Sequence, residues 1–355
     1  MRLPGRGRPA PLRIDAPRAL ATLLRDGPAP LDPRPVPDRL HAAFVVPWFF
    51  EGSGGHSTIA NLVRGLEARG HDVSVWLEEG TAGDFGAFFG PGGRVMEGFD
   101  AWDGADVVVA TGWQTVHRAL LLPGCGARAY LVQDHEPEFY GTSAERTWAE
   151  QTYALGLHCV CASPWLADLV RERYGAAASS FDLGVRHDVY QPLALPRRDD
   201  LVVFYARAVT ARRAVPLGVL ALEELERRGS CLKPLLFGEP RPLATRFEQA
   251  GVLEPADLAR LYNEATVGLV LSMTNPSLVP TEMLACGLPV VDIASDAMVA
   301  TFGREGPVTL ADFDPIAIAD ALEAGGRGGG EAFVAQRTWE NAAAQVEAGL
   351  RAAFS

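Results

Sequence analysis

Three arginines cluster in the stretch FYARAVTARRAVPLG: Arg207 closes an apolar run, and Arg212 and Arg213 follow in the next loop, just before a helix-like segment. Guanidinium groups near a strand's C-terminal end can clamp a diphosphate and stabilise its charge as a bond to it breaks. A solvated basic loop is the plainer alternative. Further along, TNPSLVPTEMLACGLPVV (274–291) places Pro280 where a helix's first turn accepts proline and Gly287 where a helix ends, before a short apolar strand. Unpaired N–H groups at such a helix start attract an anion, typically a phosphate. This second anion site in the same half of the chain favours the clamp. Glu282 then falls in the helix's first turn. Its carboxylate there either complements the helix dipole or accepts hydrogen bonds from hydroxyls such as those of a ribose.

Two further motifs compete. In GSGGHS, Gly52, Gly54 and Ser57 approximate a dinucleotide fingerprint, and Glu78 ends the following strand. An NAD(P)-dependent oxidoreductase would follow. The residues WFFE, however, separate the preceding strand from the first glycine, and the third small position is a serine. A glycine loop that lets a sugar or phosphate approach the backbone beside His56 fits better. The pair Asp312 and Asp314 has the form of a metal-holding carboxylate motif, but Pro315 and a helical segment follow, so Asp314 reads as a helix N-cap. No metal site is expected. Cys159 and Cys161 alternate within a strand with no second pair to complete a zinc site, and read as buried thiols.

These residues need a scaffold of two domains. The chain has 355 residues, is 48% hydrophobic and has a mean hydropathy of +0.06, which fits a folded soluble protein. No apolar run reaches the roughly 20 residues of a membrane helix, and the basic N-terminal stretch lacks a signal core, so a cytoplasmic location is expected. The net charge of -12 argues against nucleic acid as the main partner.

A Pro- and Arg-rich lead-in (1–40) carries one short helix, APRALATLLRD. Apolar runs AAFVVP, DVSVWLEE, ADVVVAT, ARAYLVQD and LHCVCAS then alternate with helical stretches through 41–192. The polar stretch LALPRRDD links to a second series in 193–335: LVVFYAR, KPLLFGE, VGLVLS and PVVDI, again separated by helices. A last helical segment fills 336–355. Alternation in both halves predicts two parallel-sheet α/β domains, with ligands outside the C-terminal strand ends.

Taken together, FDLGVRHDVYQP, QDHEP, FYAR with Arg212, SMTNPSLVPTEMLACGLPVV and RTWENAAAQV resemble, in order, the motifs of family 4 glycosyltransferases. The likeness runs from about residue 42 onward and is greatest to rhamnosyltransferases that use dTDP-rhamnose for bacterial surface glycans. The resemblance implies the GT-B architecture: two Rossmann-like domains facing a cleft, the last helix crossing back to the first. It implies sugar transfer with retention, from a dTDP- or UDP-linked donor to a glycan or lipid-linked acceptor, with no obligatory metal or other cofactor. The protein would then touch the membrane only peripherally, at its inner face. Arg207, Arg212, Asp134, His135 and Glu136 take the catalytic positions. Glu282, Thr274, Asn275, Ser277, Leu278, Arg213 and Gly238 take donor-binding positions, and Gly54, Gly55 and His56 acceptor-binding ones. The family carries a glutamate where Thr274 stands, which leaves the donor sugar open and makes a catalytically silent partner subunit a further alternative.

Overall fold

The computed structural model describes residues 15–48, 54–80 and 94–355. Two all-parallel sheets organise it. The first holds β1 (His41–Val46), β2 (Asp72–Leu77), β3 (Arg94–Glu97), β4 (Ala105–Ala110), β5 (Cys125–Val132), β6 (His158–Cys161) and β7 (Ala178–Ser180). Its strands lie in the order β3-β2-β1-β4-β5-β6-β7. The second holds β8 (Leu201–Tyr205), β9 (Lys233–Phe237), β10 (Glu248–Gly251), β11 (Val267–Leu269), β12 (Val290–Ile293) and β13 (Val308–Ala311), in the order β10-β9-β8-β11-β12-β13. The central strands are near-continuous Val, Ala and Phe because helices cover both faces and no side of the strand meets water. The two-domain α/β expectation therefore holds.

The sequence reading missed four strands: β3, β7, β10 and β13. All four are sheet edges. Most of their residues are only partly buried, so they carry no apolar run to announce them. The N-terminal helix, Asp15–Asp26, packs on Trp113–Leu121 through Ala19 and Leu23. The expected residues 1–14 of the lead-in lie outside the described part. No described helix is long and apolar enough to cross a membrane.

Strand order reverses direction between β1 and β4 in the first sheet and between β8 and β11 in the second. At such switch points adjacent loops leave in opposite directions and open a crevice beyond the carboxyl ends of the strands. Both crevices face one another.

Two stretches of chain connect the domains and touch as they pass. The Val185 amide donates to the Arg337 carbonyl at 2.8 Å, and Val185 and Thr338 form a parallel bridge. A side chain on Gly184 would collide with Trp339. The helix Trp339–Ala352 then returns to the first domain, burying Ala342, Val346 and Leu350 in its core. Gly65 permits this approach: a Cβ there would lie 2.5 Å from the Ala343 Cβ. Polar contacts fix the register. Burial alone would raise the Glu347 carboxyl, but hydrogen bonds from His71, Arg69 and Arg351 bring it down to about 2.

Candidate active site

A cleft of about 410 Å³ lies between the two switch points. From the second domain it receives Arg207, Arg212 and Arg213. β8 ends at Tyr205, and a 3-10 turn, Ala211–Arg213, leads to Ala214 at φ 41°, a left-handed conformation that costs a non-glycine residue energy. This turn places Arg212 and Arg213 just before the helix Val215–Arg227 begins. Arg213 is buried, and its Nη1 donates to Ser272 Oγ at 3.3 Å. Beneath it Asp292 accepts the amides of Ser272 (2.8 Å) and Ile293 (2.7 Å), while burial pushes its carboxyl up to about 7.

The helix Leu278–Ala285 opens onto the same cleft, with Asn275, Ser277 and Leu278 on the lining. Ser277 is its N-cap, yet the Ser277 Oγ has no hydrogen-bond partner. The helix therefore begins two residues before Pro280, and Glu282 sits in its second turn rather than its first. Glu282 lies outside the cleft lining, beside Tyr190, Tyr262 and Arg186. Burial raises its carboxyl to about 7, with Arg186 partly offsetting the rise. Two other expected donor contacts are also turned away from the lining. Thr274 Oγ1 donates to Asp134 Oδ2 at 2.9 Å. Gly238, at φ 95°, serves as the seat for the Tyr205 ring, which a Cβ would approach to 2.5 Å.

The first domain contributes Gly54, Gly55 and His56 to the cleft lining, at the start of the helix Gly54–Ala68. Gly52 lies outside the described residues. Glu78, the acidic residue of the dinucleotide reading, pairs with Arg118 at 3.1 Å. The loop after β5 divides its motif. Asp134 and Glu136 line the cleft, whereas His135 is fully buried: its Nε2 lies 2.8 Å from the Tyr174 hydroxyl and its ring stacks on Tyr153. His135 supports the loop and does not face the cleft. Glu136 accepts the Trp113 amide at 2.8 Å and the Tyr130 hydroxyl at 2.7 Å. Burial drives its carboxyl up to about 7 against the pull of those bonds.

Sequence reasoning missed Trp48, Gln114, Gln133, Phe139, Tyr140 and Thr210, all on the lining. A signal existed for three of them, since Gln133 opens the QDHEP motif and Phe139 and Tyr140 follow it after Glu138. Asp314 caps its helix as expected, accepting the amides of Ile316 and Ala317 at 2.8 Å. Among the described residues no group of three or more His, Cys, Asp or Glu is placed to hold a metal. Cys159 and Cys161 are buried free thiols, and burial pushes Cys159 up to about 12.

The two facing domains with a returning last helix form the GT-B fold of glycosyltransferases. Two solved structures share it along nearly their whole length. Anabaena HepE, crystallised with UDP and glucose, matches with a TM-score of 0.65 and 13% identity, over 88% of this chain and 99% of its own. Sucrose-phosphate synthase of Thermosynechococcus elongatus matches with a TM-score of 0.63 and 16% identity, over 89% and 95%. In sequence, residues 200–323 match the family model described as WsaF, C-terminal domain. The O-antigen biosynthesis protein RfbC of Myxococcus xanthus is 34% identical over 194 residues, which cover 52% of this chain but 15% of that protein.

Proposed function

We propose that this chain is a retaining glycosyltransferase of bacterial surface-glycan assembly. It moves rhamnose or a related hexose from a dTDP- or UDP-linked donor to a glycan or lipid-linked acceptor. The observation that carries this reading is the convergence of Arg207, Arg212 and Arg213 with the start of the helix Leu278–Ala285 on one cleft. Four sources of positive potential in one crevice suit a diphosphate. The O-antigen relative supports the glycan setting, and the neighbour crystallised with UDP and glucose supports a nucleotide-sugar donor.

In the proposed reaction the bond between the anomeric carbon and the donor's phosphate oxygen breaks. The arginines stabilise the departing diphosphate, which takes the proton of the acceptor hydroxyl as the new glycosidic bond forms on the same face. Such charge stabilisation requires no metal. The wall of Trp48, Phe139 and Tyr140 with Gln114 and Gln133 offers apolar faces and amides to an incoming saccharide. A lipid-linked acceptor would bring the protein to the inner membrane face.

Calorimetric titration with UDP, dTDP and NAD, followed by transfer assays with dTDP-rhamnose and UDP-glucose in EDTA, tests the reading. Nucleoside diphosphate binding and metal-free donor turnover by the isolated chain are expected. NAD binding without UDP or dTDP binding would overturn it, and binding without any turnover would make the chain a silent partner subunit.

A further inference from the structure

Asp134 belongs to the first domain, yet most of its partners belong to the second. Its Oδ1 accepts the Asn275 amide at 3.1 Å and its own neighbour's amide, His135, at 2.9 Å. Its Oδ2 accepts the Thr274 hydroxyl at 2.9 Å and lies 3.1 Å from Arg212 Nε. A carboxylate offers about four lone-pair sites, and here three accept hydrogen bonds while the Arg212 guanidinium lies beside the carboxylate as an ion pair. The partners are a guanidinium, a hydroxyl and a backbone amide from the loop before a helix, which is the set that binds a phosphate.

Arg212 is loosely committed to this contact. Its Nε makes no aligned hydrogen bond, so charge alone holds it to Asp134, and its guanidinium lies 3.9 Å above the Phe139 ring. Phe139 also comes from the first domain. Arg212, one of the three arginines of the cleft, is thus engaged by two first-domain residues. Next to it Asn275 Nδ2 donates to the Gln133 carbonyl at 3.1 Å, and Ser163 Oγ donates to Asn275 Oδ1 at 2.8 Å.

We propose that Asp134 is an internal stand-in for the donor's phosphate: it clasps the two domains by occupying Arg212 and the Thr274–Asn275 loop, and an incoming nucleoside diphosphate must displace it. This rests on the nucleotide-sugar reading above and adds a gate to it. Binding transfers Arg212 from carboxylate to phosphate, so each donor pays the cost of opening the clasp before it gains its own contacts. Thr274 is part of the device. A carboxylate at that position would face Asp134 with like charge, whereas a hydroxyl completes its hydrogen bonding.

The test uses the full chain with UDP, dTDP and inorganic pyrophosphate as probes. Asp134→Asn preserves the volume and one acceptor oxygen but presents an amide to Arg212. Thr274→Val removes one bond and leaves the charge pair. Calorimetry should show UDP or dTDP binding about 10-fold tighter in Asp134→Asn, and tighter by a smaller factor in Thr274→Val. Small-angle scattering of the ligand-free proteins should show a larger radius of gyration for Asp134→Asn than for wild type. Should Asp134→Asn fail to fold, the direction of the Thr274→Val shift decides. Equal or weaker nucleotide affinity in folded variants, with wild type binding normally, would overturn the clasp alone. Absence of UDP, dTDP and pyrophosphate binding in wild type and variants would overturn the nucleotide-sugar reading, and the displacement with it.

Discussion

Glu136 reaches across from the loop after β5 to take the Trp113 amide at 2.8 Å, and so closes the first turn of the helix Trp113–Leu121 from outside that helix. Gly112 precedes this helix and has no side chain to do so. Glu136→Ala would leave that amide and the Tyr130 hydroxyl unpaired in a buried place. A loss of about 2–4 kcal/mol in denaturant-derived stability is expected, from two orphaned groups. Glu136→Gln should lose less, since its carbonyl can still accept one bond. Equal stability of wild type and Glu136→Ala would mean water serves both groups.

Arg207 and Arg213 should separate turnover from stability. Either alanine substitution is expected to cut sugar transfer by on the order of 100-fold, as removal of a transition-state charge stabiliser does. Arg213→Ala should also lower the melting temperature, because Arg213 is buried over Asp292 and bonded to Ser272. Near-normal transfer by both variants would place the diphosphate elsewhere.

Glu282 links stability to pH. Its folded carboxyl stands at about 7 against an ordinary value of 4.5, because burial penalises the charged form. The folded protein therefore holds a proton that the unfolded chain gives up between pH 4.5 and 7, and this group's stability contribution falls as pH rises through that window. Glu282→Gln cannot ionise. It should match wild type near pH 4 and exceed it at pH 8 by on the order of 2 kcal/mol. A difference that does not change with pH would sink this account. Titrating the same variant with UDP also settles the ribose contact: weaker binding would put Glu282 on the ribose, and unchanged binding would leave it to Arg186.

Much of this was legible in the sequence, and the exceptions have physical reasons. Central strands declare themselves because both faces are buried; the four edge strands do not. The meeting of Arg207, Arg212 and Arg213 on one cleft was readable because they lie between the end of one strand and the start of the next helix. His135 was not, since a loop has no period from which to read direction, and the stacking on Tyr153 and Tyr174 that turns it inward comes from distant segments. Glu282 was misplaced by two residues because Pro280 is tolerated anywhere in the first turn, not only at its opening. Thr274 was read toward the donor because its partner, Asp134, lies 140 residues away in the chain.

Gly65→Ala sets propensity against packing. In an exposed helix the change gains up to about 1 kcal/mol. Here the added Cβ would sit 2.5 Å from the Ala343 Cβ and must push the returning helix away. A net loss of about 1–3 kcal/mol is expected, with recovery in the Gly65→Ala, Ala343→Gly double variant. A stabilised single variant would show that the helix yields at no cost.

The bridge between Val185 and Thr338 has a use beyond holding two segments together. It marks two points, far apart in sequence, between which the whole second domain is strung, while the chain on either side belongs to the first. The second domain is therefore a cassette with adjacent ends. Replacing 186–337 by the equivalent portion of another GT-B protein would join at two neighbouring seams and leave the first domain's core, including its returning helix, intact. Under the proposed function, such an exchange would alter donor choice without rebuilding the first domain's wall of the cleft.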